Sequence, residues 1–150
     1  MTRCGILTPL GPMCLEADGG ALTRFFPGEC PSSEDTPLLL EAEVQLREYF
    51  SGQRREFDLP LAPVGTAFQK KVWAALCTIP CGETRSYGQI AAQLGNPKAC
   101  RAVGMAAHRN PLPVFVPCHR VIGADGSLTG FALGTQAKAL LLALEQNRIT

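Results

Sequence analysis

The 150-residue sequence has only two histidines, no Cys-x-x-Cys pair and no long hydrophobic run. The seven cysteines are therefore poorly spaced for a common zinc site or a disulfide framework, and we expect reduced thiols and no metal. The longest apolar stretch, residues 137–144, is far shorter than the roughly 20 residues of a membrane span. The start of the chain lacks the apolar segment of a signal peptide. We therefore expect a cytoplasmic protein, associated with the nucleoid if it is prokaryotic. A zinc ion bound by Cys4, Cys14 and Cys30 stays open as an alternative.

The sequence contains 46% hydrophobic and 18% charged residues, which is typical of a globular chain of one or two small domains. Residues 1–62 carry five basic and ten acidic side chains, whereas residues 63–150 carry nine basic and three acidic ones. A proline-rich stretch, residues 59–65, lies between the two halves. We predict two domains, residues 1–62 and 63–150, and a polyanion as one possible partner of the basic second half.

The first domain has the pattern of a small antiparallel sheet followed by a helix. Turn residues at 9–12 and 18–20 separate short apolar stretches, which predicts a hairpin. Residues 30–36 have the composition of a loop. From Pro37, apolar residues recur at nearly helical spacing up to the stop at Gly52, which predicts one helix.

The second domain is predicted to be mostly helical. Thr66 and Ser86 are placed to cap two helices, and Gly95 would end the second of them. Asn96 would cap a further helix that runs to about His108. Two short helices joined by a glycine-containing turn match a helix-turn-helix. Residues 113–118 then predict a short buried strand, and residues 134–146 predict a last helix.

The dipeptide Cys118-His119 ends the predicted buried strand. Burial makes a thiol inert, so a reactive Cys118 would need a cation or a base, for which His119 and Arg120 are the nearest candidates. Adjacent side chains on an extended strand point to opposite faces, so His119 would need a tight turn or a bridging water to act on Cys118. Glu145 lies in an otherwise apolar helix and is the natural partner of His119. Taken alone, the dipeptide also fits a buried structural cysteine.

Longer motifs surround this dipeptide. Residues 110–122 read NPLPVFVPCHRVI, residues 82–111 read GETRSYGQIAAQLGNPKACRAVGMAAHRNP, and residues 126–145 read GSLTGFALGTQAKALLLALE. From about Thr66 to Glu145 the chain resembles the O6-alkylguanine-DNA alkyltransferases, also called methylated-DNA-protein-cysteine methyltransferases. The first domain resembles that family's variable N-terminal domain more loosely. The resemblance implies a ribonuclease-H-like α/β N-terminal structural domain, followed by a mostly α winged-helix-like domain that binds DNA and accepts the alkyl group.

The resemblance also implies a function. The protein would flip O6-alkylguanine, chiefly O6-methylguanine, out of duplex DNA and transfer the alkyl group irreversibly to Cys118. His119 would act through a water as the base, oriented by Glu145, and Asn110 would hold the turn before the active-site segment. Because the thioether product has no hydrolytic route back, each molecule would act once and without a cofactor.

Two further residues are implied to act on the DNA. Tyr87 would press on the backbone and donate a proton to the leaving guanine, and Arg101 would fill the gap left by the flipped base. The family approaches DNA through the minor groove, and we expect a monomer. Helix starts and one loop are candidate phosphate contacts. They are Gln69, Tyr87, Gly88, Asn96 and Ala124.

The resemblance places the guanine pocket around four further residues. The backbone near Cys118 and Val121 would read the amine edge of the guanine, and the amide of Ala132 would face its oxygen. Phe131 stands where many members have tyrosine, and Leu133 where some have glycine. Both changes narrow the pocket or make its edge more apolar, so we predict that methyl is preferred over benzyl-sized groups.

Two other functions are weighed against this one. A damage-binding protein of similar fold would recognise alkylguanine without accepting the group, but such proteins replace the acceptor cysteine, which is present here as Cys118. A winged-helix transcription factor would fit the helix-turn-helix and the basic half, but it would leave Cys118, His119 and Glu145 without a role. The first domain could add a regulatory or metal-sensing role. Structural support is the main prediction for it, since its acidic balance disfavours contact with DNA.

Overall fold

The computed structural model describes residues 1–128 and 130–147. The chain divides into two compact units between Val64 and Gly65. No helix within the described residues is both long and apolar enough to cross a lipid bilayer.

The first unit is built on a three-stranded antiparallel sheet. Its strands β1 (Thr2–Thr8), β2 (Gly11–Asp18) and β3 (Ala21–Pro27) lie in the order β1-β2-β3. The predicted hairpin is confirmed, with its turns at 9–10 and 19–20, and a third strand extends it. Gly19 and Gly20 both have positive φ, which the tight turn between β2 and β3 requires.

One helix, α1 (Pro37–Phe50), packs against β1 and β2. Its start is fixed by Thr36, whose side chain accepts a hydrogen bond from the amide of Leu39. The division between the units lies two residues after the predicted boundary at residue 62, and residues 60–62 still pair with Leu22 of β3. The Leu22 amide donates to the Pro60 carbonyl at 2.9 Å, and the Ala62 amide donates to the Leu22 carbonyl at 2.8 Å.

The second unit is mostly helical, as predicted. Thr66 and Ser86 cap their helices in full capping boxes with Gln69 and Gln89. Two short parallel strands pair Arg85 with Val121 and Ser86 with Ile122, which brings the start of the second helix beside the chain that follows Cys118. The elements are α2 (Ala67–Leu76), β4 (Arg85–Ser86), α3 (Tyr87–Gln93), α4 (Cys100–His108), a 3-10 turn (Cys118–Arg120), β5 (Val121–Ile122) and α5 (Thr135–Gln146).

The prediction that Asn96 caps the next helix is wrong. The helix α4 begins only at Cys100, and its first flanking residue, Ala99, makes no side-chain cap. Residues 96–99 instead close a separate turn, in which the Ala99 amide donates to the Asn96 carbonyl at 3.0 Å. An Asn-Pro pair favours a turn as much as a helix start, and here the turn wins.

The predicted strand over residues 113–118 is also wrong, although the segment is buried as expected. The Val116 amide donates to the Leu112 carbonyl at 2.9 Å, and Val114 has a φ of 75°, so the chain turns back on itself. A short apolar run shows that the segment is buried but does not fix its backbone shape.

Candidate active site

The Cys118 thiol lies at the start of the 3-10 turn and is 1% exposed. The side-chain amide of Asn110 donates both to Cys118 Sγ at 3.1 Å and to the Val116 carbonyl at 3.0 Å. Asn110 Oδ1 in turn accepts from the Leu112 amide at 2.9 Å. One buried side chain therefore holds the irregular segment at both ends and touches the sulfur itself.

Burial raises the pKa of the Cys118 thiol to about 12, although Asn110 and the charge of Lys138 act in the opposite direction. The thiol is therefore protonated at neutral pH. A thiol is a weak nucleophile until it loses its proton, so any chemistry at Cys118 needs a base nearby.

His119 is placed to be that base. Its Nε2 lies 2.8 Å from Glu145 Oε2, and both side chains are completely buried. Because an ionised carboxylate only accepts, Nε2 carries the proton and Nδ1 keeps its lone pair. Among the described residues, nothing forms a hydrogen bond with Nδ1. Burial lowers the pKa of His119, although the hydrogen bond to Glu145 opposes this, so the ring is neutral and able to take a proton.

Arg120 binds the same Glu145 carboxylate as His119, and the sequence analysis missed this contact. Its Nε donates to Glu145 Oε1 and its Nη2 to Glu145 Oε2, both at 2.9 Å, while Nη1 donates to the Ile79 carbonyl at 2.7 Å. Burial would raise the pKa of the Glu145 carboxyl, but the hydrogen bonds from His119 and Arg120 outweigh it and hold that pKa well below its usual value. An arginine within a buried segment needs a carboxylate partner, and that signal could have found the pair.

Lys138 is a second residue that the sequence analysis left without a role. Its side chain is completely buried, and its Nζ lies 5.8 Å from the centre of the Tyr87 ring. Burial lowers the pKa of Lys138, and the neighbouring Cys118 raises it. Lys138 precedes Glu145 by seven residues, two turns of α5, so both face the same side of that helix. A second charge on the buried face of an apolar helix was the available signal.

Tyr87, the first residue of α3, is fitted against two glycines. A Cβ on Gly130 would lie 2.8 Å from the Tyr87 hydroxyl, and a Cβ on Gly104 would lie 3.8 Å from its ring. Burial raises the pKa of Tyr87, and the nearby Cys118 adds to this effect. The phenol is therefore protonated and held close to the thiol as a possible proton donor.

With this geometry in place, comparison with known proteins identifies the family. Residues 67–147 match the family described as "6-O-methylguanine DNA methyltransferase, DNA binding domain", and residues 6–63 match its "ribonuclease-like domain". The chain belongs to the methylated-DNA-protein-cysteine methyltransferases. The two matched domains correspond to the small sheet unit and the helical unit, so the predicted fold class is confirmed.

Individual relatives agree over almost the whole chain. The methylated-DNA-protein-cysteine methyltransferase of Methanosarcina mazei is 49% identical and covers 96% of both chains. The constitutive enzyme of Bacillus subtilis is also 49% identical, over 93% of this chain and 92% of its own. The crystal structure of Mycobacterium tuberculosis OGT in complex with DNA has a TM-score of 0.91 at 47% identity, and the match covers 99% of this chain and 94% of that one.

In this methyltransferase, the residues predicted to line the guanine pocket flank the buried cluster. Val121 and Phe131 are buried, and the Phe131 ring stands edge-on to His119 with a centroid distance of 6.2 Å. Ala132 is exposed and Leu133 half-buried, in a turn closed by the Gly134 amide on the Phe131 carbonyl at 3.1 Å. Their roles in the pocket stay predictions.

The predicted DNA contacts are spread over the surface of the helical unit. Arg101 is exposed in the first turn of α4, Asn96 and Ala124 are exposed in turns, and Gly88 is half-buried in α3. The Gln69 amide donates to Thr66 Oγ1 at 3.1 Å, and its side chain accepts from the Thr66 amide at 2.9 Å. The backbone amide and Oε1 of Gln69 are therefore used in the capping box, and its contact with a phosphate stays a prediction.

Proposed function

We propose that this protein repairs DNA by moving the alkyl group of O6-alkylguanine, chiefly O6-methylguanine, onto Cys118. The observation that carries the proposal is the arrangement around one sulfur. Cys118 lies in hydrogen-bond contact with Asn110, beside a neutral His119 whose orientation Glu145 fixes. A nucleophile, a base and a third group that orients the base are what nucleophilic catalysis requires.

The reaction follows from these groups. His119 Nδ1 takes the Cys118 proton through a water molecule, and the thiolate attacks the alkyl carbon. The sulfur-carbon bond forms as the carbon-oxygen bond breaks, and the electron pair stays on the guanine. The Tyr87 hydroxyl then supplies a proton to the guanine, and the charge of Lys138 beside the ring stabilises the phenolate that is left. The thioether is stable, so each molecule acts once and needs no cofactor.

The substrate must leave the DNA duplex to reach a thiol that is 1% exposed. We infer that α4 enters the minor groove as a monomer binds, because its exposed side presents small residues around one long cation. Ala102 is exposed and Gly104 half-buried, so the helix can approach closely, and Arg101 can fill the space of the flipped base. The Mycobacterium tuberculosis relative, which was crystallised in complex with DNA, supports DNA binding.

The proposal is tested by intact mass after the protein is mixed with a duplex containing O6-methylguanine, followed by peptide mapping. We expect a gain of one methyl group on Cys118 and no second gain with excess duplex. Tight binding without a mass change would instead support a damage-recognition protein. Absence of both binding and mass change would favour the transcription-factor alternative.

A further inference from the structure

A second pair of reactive groups lies in the N-terminal unit, and the proposed repair function does not use it. The sulfur atoms of Cys14 and Cys30 are 2.8 Å apart. Cys14 lies in the middle of β2 and is 1% exposed, whereas Cys30 is half-buried in the loop of residues 28–36, which we call the strap. Two thiol sulfurs this close are within easy reach of the ~2.05 Å disulfide bond length.

The strap is fastened to the sheet on both sides of Cys30. Before it, the Gly28 amide donates to the Pro12 carbonyl at 2.9 Å. After it, Ser33 Oγ accepts from the Gly5 amide at 3.3 Å, and the Glu34 amide donates to the Arg3 carbonyl at 2.9 Å. These bonds hold the strap over β1 and β2, so the Cys30 side chain stays above Cys14.

A glycine in β1 leaves space for the contact between Cys14 and Cys30. Gly5 is the register partner of Cys14, and a Cβ on Gly5 would come 3.2 Å from the Cys30 Cβ. Cys4, the residue before, pairs with Leu15 and therefore faces the other side of the sheet. The three cysteines thus do not converge, and the described residues contain no group of three or more His, Cys, Asp or Glu side chains arranged for a metal ion.

We propose that Cys14 and Cys30 form a reversible disulfide when the protein meets a low-molecular-weight disulfide. The Cys30 thiolate attacks the small disulfide and releases one small thiol. Cys14 Sγ then attacks Cys30 Sγ, and the Cys14 proton passes to the departing small thiolate, which leaves as the second thiol. The two protein thiols lose two electrons and two protons, which reduce the small disulfide to two thiols.

The order of these two steps follows from access. Cys30 is the half-buried member of the pair, while burial and the neighbouring Cys30 raise the pKa of Cys14 to about 12. Cys30 therefore reacts first with the small disulfide, and Cys14 resolves the mixed disulfide because it already touches the Cys30 sulfur. The product ties the strap to β2 and constrains the unfolded chain, so it stabilises the unit.

The test treats the full-length protein with oxidised glutathione, blocks remaining thiols, and maps the products. We expect a Cys14-Cys30 link with the loss of two hydrogen atoms, and a melting temperature raised by about 5 °C or more. Because trypsin leaves Cys4 and Cys14 in one peptide, a Cys4→Ser variant must still form the link. Cys77→Ser, which removes an exposed thiol of the helical unit, is the second control.

Single substitutions separate the two steps. In Cys14→Ser we expect Cys30 to stay as a glutathione adduct, and in Cys30→Ser we expect neither the link nor the rise in melting temperature. A lasting glutathione adduct on Cys30 in the unsubstituted protein, or a disulfide mapped to another pair, would overturn the proposal. Methyl uptake at Cys118 is a separate readout, so failure here leaves the repair function untouched, and the reverse also holds.

Discussion

The two units each contain a deeply buried cysteine, and the two thiols differ in their neighbours. Cys14 and Cys118 are both 1% exposed, and burial raises the pKa of each to about 12. Cys14 is in contact with a second thiol, Cys30. Cys118 instead touches the Asn110 amide and lies near the charge of Lys138 and the phenol of Tyr87. Burial alone therefore does not determine the reactivity of a thiol. The groups that surround the thiol do.

Burying the polar residues around Cys118 costs free energy. The helical unit buries a charged network in which both carboxylate oxygens of Glu145 are hydrogen-bonded. In the sheet unit, the buried carboxylate of Glu16 forms ion pairs with two arginines that are more exposed. Apolar residues in place of a buried ionic network are often neutral or stabilising, so stability does not explain the network. Its members are His119, Arg120 and Glu145.

The largest effect is expected from replacing the Cys118 thiol with a hydroxyl, compared with the same change at Cys14. Cys118→Ser removes the acceptor, so no methyl group is gained from an O6-methylguanine duplex, because a serine hydroxyl is a far weaker nucleophile than a thiolate. Cys14→Ser is the matched control and should take up one methyl group as before. Intact mass measures both. Methyl uptake by Cys118→Ser would show that the wrong cysteine has been chosen.

The second prediction compares two buried carboxylates. Glu145→Gln removes the charge that fixes the His119 tautomer, so the alkyl-transfer rate should fall by about 10²- to 10⁴-fold. It also removes the carboxylate charge to which the buried Arg120 is hydrogen-bonded, which lowers the free energy of unfolding by about 3–5 kcal/mol. Single-turnover kinetics and denaturant unfolding measure the two effects.

Glu16→Gln is the control for this prediction, since Glu16 is a 7% exposed carboxylate of the sheet unit with arginine partners. It should leave the alkyl-transfer rate unchanged. An equal loss of rate in both variants would mean that stability, rather than the orientation of His119, had been measured.

The third prediction concerns Lys138, which lowers the pKa of Cys118. Lys138→Met removes that charge with little change in volume, so the pKa of Cys118 should rise and the alkyl-transfer rate should fall by about tenfold. Thiol titration and single-turnover rates should shift together. Lys70→Met, an exposed substitution in α2, should change neither. A slower rate with an unaltered thiol titration would place the effect of Lys138 elsewhere.

The fourth prediction is a pH dependence. The pKa of His119 is lowered from 6.5 in the folded protein, so the alkyl-transfer rate should be constant above about pH 6.5 and decrease only below it. The unfolded chain binds this proton at a higher pH than the folded one, so the free energy of unfolding also decreases as the pH falls below about 6.5. The lowered pKa of Glu145 adds a further loss below about 4.5.

His119→Gln provides the control for the pH dependence, since it should remove the part of the stability change that begins near pH 6.5. Urea unfolding at several pH values measures it. A rate that already decreases above pH 6.5 would show that His119 is charged in the resting protein and is not the base.

The helical unit shows which features could be predicted from the sequence and which could not. The capped helices at Thr66 and Ser86 and the Glu145-His119 pair were predictable, because a cap and a carboxylate in an apolar helix are local signals. The turn at residues 113–118 was not, since its shape depends on the long-range hydrogen bonds of Asn110. Arg120 was considered only as a partner of Cys118, because Glu145 had already been paired with the preceding residue, His119.

The smallest effect is expected at the residues predicted to form the edge of the guanine pocket. Phe131 is 4% exposed and stands edge-on to His119, and no hydroxyl is present at this position to reach the leaving oxygen. Because Phe131 and Leu133 are predicted to narrow the pocket, the protein should be inactivated faster by an O6-methylguanine duplex than by free benzylguanine. Phe131→Tyr should speed both reactions by up to about tenfold, the effect of one neutral hydrogen bond to the guanine oxygen that the two substrates share. Leu133→Gly widens the same edge without adding a hydroxyl, so it distinguishes an effect of pocket size from an effect of hydrogen bonding. Equal or faster reaction of the unsubstituted protein with the benzyl compound would contradict this account of the pocket.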